Sequence, residues 1–245
     1  MNEEGRLEAC LRSADFADEW IVVDSHSTDR TREVAAACGA RVVERDWPGH
    51  VEQKNFALSL ARNDWVLCLD ADERVSPELR AAILAALDGR DLADGFEMSR
   101  RSWYLGRWIH HGGWYPDRKL RLFRRSKGTW GGTNPHDHVR LGGRVAKLSG
   151  DLLHYSYRCL ADHLRTVDSF TTIAARGKLE RGEHAGVSSF TLRPAWKFVR
   201  MYLLKAGFLD GVPGFLAAVT SAYYVFLKYA KLWELEHAGD RRDGA

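Results

Sequence analysis

Asp70-Ala71-Asp72-Glu73 follows directly on the apolar run Trp65-Val66-Leu67-Cys68-Leu69. Two carboxylates one residue apart at the end of a buried strand form a compact set of oxygen donors. Hard divalent cations take oxygen ligands, and Mg2+ is commonly held by one or two carboxylates together with substrate phosphates. A metal here could bridge the protein and a nucleotide diphosphate and neutralise charge on a departing phosphate. The same acids read equally well as a cluster capping the helix that opens at Ser76. Asp24 closes a second apolar run, Trp20-Ile21-Val22-Val23. An acid there can accept hydrogen bonds from a nucleobase imide or a ribose hydroxyl. The plainer reading is a turn acid, a role that suits Asp29 better.

The elements that must position these acids alternate. The run 20–24 reads as a strand, and Ser25-His26-Ser27-Thr28-Asp29 as a turn rich in capping residues. A helix follows from Thr31 to Cys38 with Gly39 at its end, then a strand over Arg41–Glu44. Gln53 to Ala61 has helical spacing, 65–69 is the most buried-looking strand, and Ser76-Pro77 opens a helix to about Leu87. Strand–helix repetition with near-continuous apolar strands predicts a parallel sheet covered on both faces, whose ligands bind beyond the carboxyl ends of the strands. Asp24 and Asp70–Asp72 both lie at such ends. Phe96–Met98 and Lys119–Phe123 alternate like strands, which predicts a mixed sheet with long loops over roughly 95–150. Residues 151–237 are predicted to be a helical extension and 238–245 a polar tail.

The 245 residues are 45% hydrophobic and 28% charged, which excludes a disordered tail, a collagen-like repeat and a minimal disulfide scaffold. The four cysteines form no CxxC pair, so nothing demands an oxidising compartment. No apolar run approaches the roughly 20 residues of a membrane span, and no signal peptide opens the chain. A cytoplasmic location is expected. Residues 1–98 carry 11 Lys+Arg and 21 Asp+Glu, whereas residues 99–127 carry nine Lys+Arg and the single acid Asp117. An acidic half beside a dense basic segment suggests that one holds a cation and the other faces an anion. Trp103, Trp108 and Trp114 offer flat faces for sugar stacking, or fill a core. Nucleic acid is disfavoured as a partner, because the neighbouring acid-rich rim would repel it. A phosphohydrolase with Asp70 as nucleophile is disfavoured by Arg74, which stands where the D-x-D-x-[TV] pattern has Thr or Val.

Val23-Asp24-Ser25-His26-Ser27-Thr28-Asp29, Gln53-Lys54-Asn55-Phe56-Ala57 and Leu69-Asp70-Ala71-Asp72-Glu73 together resemble three sequence blocks of family 2 glycosyltransferases. Over nearly the whole length the chain is similar to the bacterial branch that adds a sugar, typically glucose, to the lipopolysaccharide inner core. The likeness continues through Trp114-Tyr115-Pro116-Asp117, Leu120–Arg125, His154-Tyr155-Ser156-Tyr157, Phe208–Gly211 and Ser221–Tyr224. The resemblance implies a GT-A, Rossmann-like α/β fold: a mostly parallel sheet with helices on both faces, over residues 1–150, plus the helical extension. It also implies an inverting, metal-dependent transfer from a nucleotide sugar. By that likeness Asp24 would hold uracil, with Ser25, Lys54, Asn55 and Ala71 near the nucleotide. Asp70 would contact ribose or metal, and Asp72 would ligate Mn2+ or Mg2+ with the diphosphate of a UDP-sugar.

Inversion needs a base opposite the leaving group, and a carboxylate within hydrogen-bond reach is the usual choice. The branch resembled has a His-Glu pair after the basic segment. Here the stretch reads Asn134-Pro135-His136-Asp137-His138, so Asp137 is the expected base, flanked by His136 and His138. The implied acceptor is a lipid-linked or phosphorylated glycan, and the basic segment and an amphipathic tail over 196–233 suit it. The tail could lie in the interface of the inner membrane at its cytoplasmic face. Family members open with an apolar strand before the Asn-Glu-Glu block. Here Met1-Asn2-Glu3-Glu4 begins the chain, so the first strand is expected to be missing, with Asn2 and Glu3 at nucleotide-contacting positions. That departure motivates the alternative of an inactive, truncated relative serving as a glycan- or membrane-binding scaffold.

Overall fold

The structure is a computed structural model and describes residues 1–89, 93–133 and 136–237. In chain order the elements are α1 (Leu7–Ser13), β1 (Ile21–Asp24), α2 (Thr31–Ala37), β2 (Arg41–Glu44), α3 (His50–Leu60), β3 (Trp65–Leu67), β4 (Glu73–Val75) and α4 (Pro77–Asp88). Next come β5 (Gly95–Tyr104), β6 (Arg107–Trp108), β7 (Asp117–Arg124), β8 (Gly128–Thr133), β9 (His136–Leu141) and β10 (Val145–His154). The helices α5 (Leu160–Glu180), α6 (Val187–Phe190), α7 (Leu192–Val199) and α8 (Gly211–His237) complete an α/β fold with a helical extension. The predicted tail 238–245, and Asn134 and Pro135 beside the expected base, lie outside the described residues.

Two compact units divide the chain. One holds Met1–Arg101 and Asp117–Tyr155; the other holds Ser102–Pro116 with the chain from Ser156 onward. In the first, β1 and β2 pair in parallel through the α2 crossover, with Asp24 opposite Glu44. A larger sheet has the order β3-β7-β5-β10-β4. Its described pairings, β3 with β7, β5 with β7 and β10 with β4, are antiparallel. The expected parallel crossover is therefore present at β1–α2–β2, and the strands after it turn back on one another. The physical reason is that β5 and β7 are not joined by a helix that carries the chain back to its starting edge. An apolar strand such as β3 can be covered on both faces in either direction, so its composition does not fix its pairing.

The main core lies between α4 and this sheet. Ser76 caps α4, its Oγ accepting from Leu79 N–H at 3.2 Å, and Pro77 holds the first helical position. Leu79 and Ile83, four residues apart, are fully buried against Phe96, Met98, Leu122 and Leu152. Each such aliphatic contributes about 1.5–3 kcal/mol. Gly150 permits the contact, since a Cβ there would come within 2.4 Å of Leu79 N. A second core, Leu7, Leu11 and Ala35 with Val22 and Val42, packs α1 and α2 on the parallel pair. All four cysteines are free thiols; burial pushes Cys10 up to about 12 and Cys68 up to about 11.

In the second unit, α5 buries His163, Val167, Thr171 and Ala175, a four-residue rhythm that lays one face on α8. Tyr104, Ile109 and Ala217 form a small core with Trp114 and Tyr157. Trp103 meets Trp108 edge-on across the β5–β6 pairing, ring centroids 5.1 Å apart. Asp210, fully buried, accepts from the backbone N–H groups of His110 (3.1 Å) and His111 (2.7 Å). The Phe208–Gly211 motif therefore anchors the 102–116 segment.

Candidate active site

Three consecutive residues of α3 reach three different elements, because successive helical side chains point about 100° apart. Gln53 Nε2 donates to Ser25 Oγ at 3.0 Å, just beyond β1. Lys54 Nζ lies 3.0 Å from Asp70 Oδ1 and 2.8 Å from Asp137 Oδ2, and 4.4 Å from the centroid of the Trp130 ring. Asn55 Nδ2 donates to Trp130 O, and its Oδ1 accepts from Trp130 N–H, so its amide ties α3 to β8. Lys54 thus brings together an acid after β3 and an acid on β9, two blocks 67 positions apart in sequence. His138 is exposed on β9. The side chain of His136 lies outside the described residues.

Asp70 and Glu73 close a tight turn. Asp70 N–H donates to Glu73 Oε2 at 3.0 Å, and Glu73 N–H donates to Asp70 O at 2.9 Å. Glu73 is fully buried and paired with Arg121 (2.8 Å) and Arg100 (3.2 Å). Arg121, itself buried, reaches Asp70 Oδ2 at 2.5 Å. Burial alone would raise the Asp70 pKa, but Arg121 and Lys54 outweigh it and hold the carboxyl far below the ordinary range. Arg100 also grips Asp117, on β7, at 2.6 Å. Glu73, Arg100, Arg121 and Gln53 carry no site role in the sequence analysis, although Gln53, Glu73 and Arg121 lie in its quoted blocks. The signal that could have found the first three is the charge imbalance itself, because buried charges must be paired.

That pairing gives much of the basic segment 99–127 an internal use. Of its nine Lys and Arg residues, seven (Arg100, Arg101, Arg107, Lys119, Arg121, Arg124 and Lys127) form ion pairs with Asp or Glu within their own unit. Among the described residues Arg118 and Arg125 form none, and both are exposed. Most of the segment's bases thus neutralise the chain's own acids.

Asp72 stands apart from this network. Its Oδ2 is 3.3 Å from His154 Nε2 and 3.9 Å from Arg6. Among the described residues no three His, Cys, Asp or Glu side chains converge on one point. A carboxylate beside an imidazole still suits a divalent cation whose remaining ligands are substrate oxygens. Both Asp70 oxygens are already engaged by cations, so Asp72 is the more available ligand. Ala71 packs with the α1–α2 core.

Asp24 is buried, its Oδ2 accepting from Ser27 N–H (2.7 Å) and its Oδ1 from Ser27 Oγ (2.5 Å). It closes the turn after β1. Asn2 and Glu3 dock on the same turn: Asn2 N–H donates to Ser27 Oγ, Thr28 N–H donates to Asn2 Oδ1, and Glu3 N–H donates to Thr31 Oγ1. Gln53 Oε1, beside Ser25, is buried with no hydrogen-bond partner. Asn2, Glu3, Asp24 and Ser25 therefore gather around the turn after β1 and Asp70 and Asp137 around Lys54, while Asp72 stands beside His154 and Ala71 in the α1–α2 core.

The family profile described as glycosyl transferase family 2 matches residues 1–144. The chain is 30% identical to the lipopolysaccharide core biosynthesis glycosyltransferase LpsC of Rhizobium meliloti (strain 1021), over 96% of this chain and 89% of that protein. It is 29% identical to an uncharacterized glycosyltransferase of Rickettsia typhi, over 96% and 84%. Among solved structures it is similar to S. aureus TarS 1–349 in complex with UDP-GlcNAc, at 13% identity and TM-score 0.46, covering 97% and 89% of the two chains. It is also similar to glucosyl-3-phosphoglycerate synthase from Mycobacterium tuberculosis in complex with Mn2+ and UDP-glucose, at 18% identity and TM-score 0.43, covering 72% and 76%. A family profile spanning more than half the chain, together with a relative matched along almost its whole length, makes this chain a member of glycosyl transferase family 2.

Proposed function

We propose that the protein transfers a hexose, glucose in the first instance, from a UDP-sugar to a lipopolysaccharide-core or similar envelope glycan, with inversion. The observation that carries this reading is the bridge from Lys54 to both Asp70 and Asp137. It joins the acid cluster after β3 to the acid expected as base. Asp137 would accept the acceptor hydroxyl's proton as that oxygen attacks the anomeric carbon. Lys54 would orient both carboxylates. The unpartnered Gln53 Oε1 and the buried Asp24 offer acceptors for a uracil imide, and Ser25, Asn2 and Glu3 complete that end. Asp72 and His154 would hold Mn2+ or Mg2+, which supplies charge neutralisation for the departing diphosphate. Arg121 and Arg100 fix the turn that presents Asp72. The name of the Rhizobium relative supports the envelope acceptor, and an enzyme acting on such an acceptor would work at the cytoplasmic face of the inner membrane.

Calorimetric titration of UDP with and without Mn2+, on wild type and Asp72→Asn, tests the assignment. Mn2+-dependent binding that disappears in Asp72→Asn is the expected result. Unchanged binding in the variant would sink the metal assignment. Failure of UDP to bind wild type at all would favour the scaffold alternative.

A further inference from the structure

The helical unit carries a second concentration of chemistry. Residues 187–233 contain six Lys and Arg and one acid, Asp210. That acid is buried and accepts from backbone N–H groups. A cavity of about 360 Å3 opens among α5, α7 and α8. Lys197 and Lys228 line it with the hydroxyls of Thr166 and Ser221 and the rings of Trp114 and Tyr224, and no acid lines it. Neither lysine has an ion-pair partner among the described residues, although both are half-buried. Lys228 Nζ instead lies 5.6 Å from the ring centroid of Tyr224 and 5.0 Å from that of Tyr229. Burial lowers the pKa of Lys197, with Arg200 and Lys205 adding to the effect. Burial likewise lowers that of Lys228, helped by Lys178 and Arg193 and opposed in part by Glu183. Two desolvated ammonium groups lining one cavity, with hydroxyl donors beside them, have the chemistry that suits an oxyanion.

The same helices and the turns joining them expose large apolar side chains. Leu192 is 68% exposed, Trp196 59%, Leu204 66% and Val212 71%, with Leu203 and Phe215 beside them in the chain. Scattered exposed leucines are ordinary. Basic residues interleaved with Trp, Leu and Phe are the pattern of a helix lying in a membrane interface. No single helix among the described residues is long and apolar enough to cross a membrane.

We propose that the helical unit docks on a membrane surface, with the cavity receiving the phosphate of an anionic lipid head group between Lys197 and Lys228. The exposed apolar side chains of α7 and of the turn into α8 enter the acyl boundary. Charge complementarity selects the occupant: an anionic bilayer answers both the unpaired cations and the apolar side chains beside them, whereas a soluble phosphate answers only the first. This extends the membrane location proposed above. Its test uses no donor sugar, so its failure leaves the transfer reading untouched.

The test is co-sedimentation of the full chain with phosphatidylcholine vesicles containing 0 or about 30% phosphatidylglycerol, with inorganic phosphate and glycerol 3-phosphate as soluble probes. Wild type should bind the anionic vesicles and not the neutral ones. Lys197→Gln/Lys228→Gln should weaken binding about 30-fold, from about 5-fold per lysine near an anionic surface. Trp196→Ser/Val212→Ser, which alters only exposed side chains, should weaken it at least about 10-fold by loss of apolar insertion. Arg41→Gln/Lys147→Gln removes the same charge from exposed sites of the other unit and should change binding less than about 2-fold. Circular dichroism verifies that each variant is folded. Equal binding by the Lys197/Lys228 variant and wild type would overturn the proposal. So would binding of glycerol 3-phosphate without any vesicle binding, which would mark a soluble-phosphate site.

Discussion

Glu73→Gln isolates the charge at the centre of the acid cluster. The side chain is fully buried, 2.8 Å from Arg121 and 3.2 Å from Arg100. At an effective dielectric of about 20, unit charges at these separations attract by about 5–6 kcal/mol per pair before desolvation is subtracted. Gln keeps the volume and can still accept from Asp70 N–H, but among the described residues it leaves the two guanidinium groups with Asp70 and Asp117 as their ion-pair partners. Removing one member of a buried ion network costs about 3–5 kcal/mol. For a chain of this length that lowers Tm by roughly 6–20 °C. Thermal unfolding followed by circular dichroism at pH 7 measures it. The double variant Glu73→Leu/Arg121→Met should be more stable than Glu73→Gln, because Asp70 retains Lys54 and Arg100 retains Asp117. A Tm within about 2 °C of wild type in Glu73→Gln would refute the claim that this network holds the Asp70–Glu73 turn.

Asp137→Asn should leave UDP affinity within about 3-fold and reduce transfer by about 100- to 10,000-fold; single-turnover transfer with UDP-glucose reads both, and retained transfer would move the base elsewhere. Gly150→Ala should lower stability by at least about 1–3 kcal/mol, since the new Cβ meets backbone atoms of Leu79 and the residue has φ +86°; a denaturant midpoint equal to wild type would show that β10 and α4 can separate freely. His163 is buried against Tyr104 and Tyr157, and burial pushes its pKa down to about 4. The unfolded chain therefore takes up this proton first as pH falls, and stability drops between about pH 6.5 and pH 4 by up to about 3 kcal/mol. His163→Phe should flatten that part of the stability–pH curve, and an unchanged slope would exclude His163 as its source.

The elements that position the site were largely legible, because they depend on local chemistry. Ser76-Pro77 starts α4 as a cap and a first-turn proline must, and β1, α2 and β2 lie within a residue or two of their predicted bounds. What eluded the sequence is what depends on register between distant strands. The alternation Lys119-Leu120-Arg121-Leu122-Phe123 reads as a strand but does not say which of its faces are covered. In the structure Arg121, Leu122 and Phe123 are all buried, since this part of β7 is covered on both faces. Only the antiparallel pairing of β7 with β3 and β5 brings Arg121 toward the end of β3, where Asp70 follows. No spacing rule over 51 positions contains that information. Asn55 shows the converse limit. Its place in a recognisable block implies a nucleotide contact but says nothing of the amide's two bonds to the backbone of Trp130, which fix α3 on β8.

Charge distribution gives the same lesson on a larger scale. The acid excess of residues 1–98 and the base excess of residues 99–127 look like two independent surfaces, yet most of the bases are spent on internal acids. Buried pairs such as Arg121–Glu73 are screened little by salt, whereas exposed charges lose most of their reach beyond about 8 Å at physiological ionic strength. A positive charge that acts at a distance must therefore come from cations without internal partners. Five of the six bases of residues 187–233 have no ion pair among the described residues, Lys231 being paired with Asp168, and Lys197 and Lys228 are held there on the walls of a cavity. The division follows from pairing: one unit uses Arg100 and Arg121 to hold the acid turn of the proposed transfer site, and the other pairs Lys178 and Lys231 internally while Lys197 and Lys228 have no ion-pair partner among the described residues.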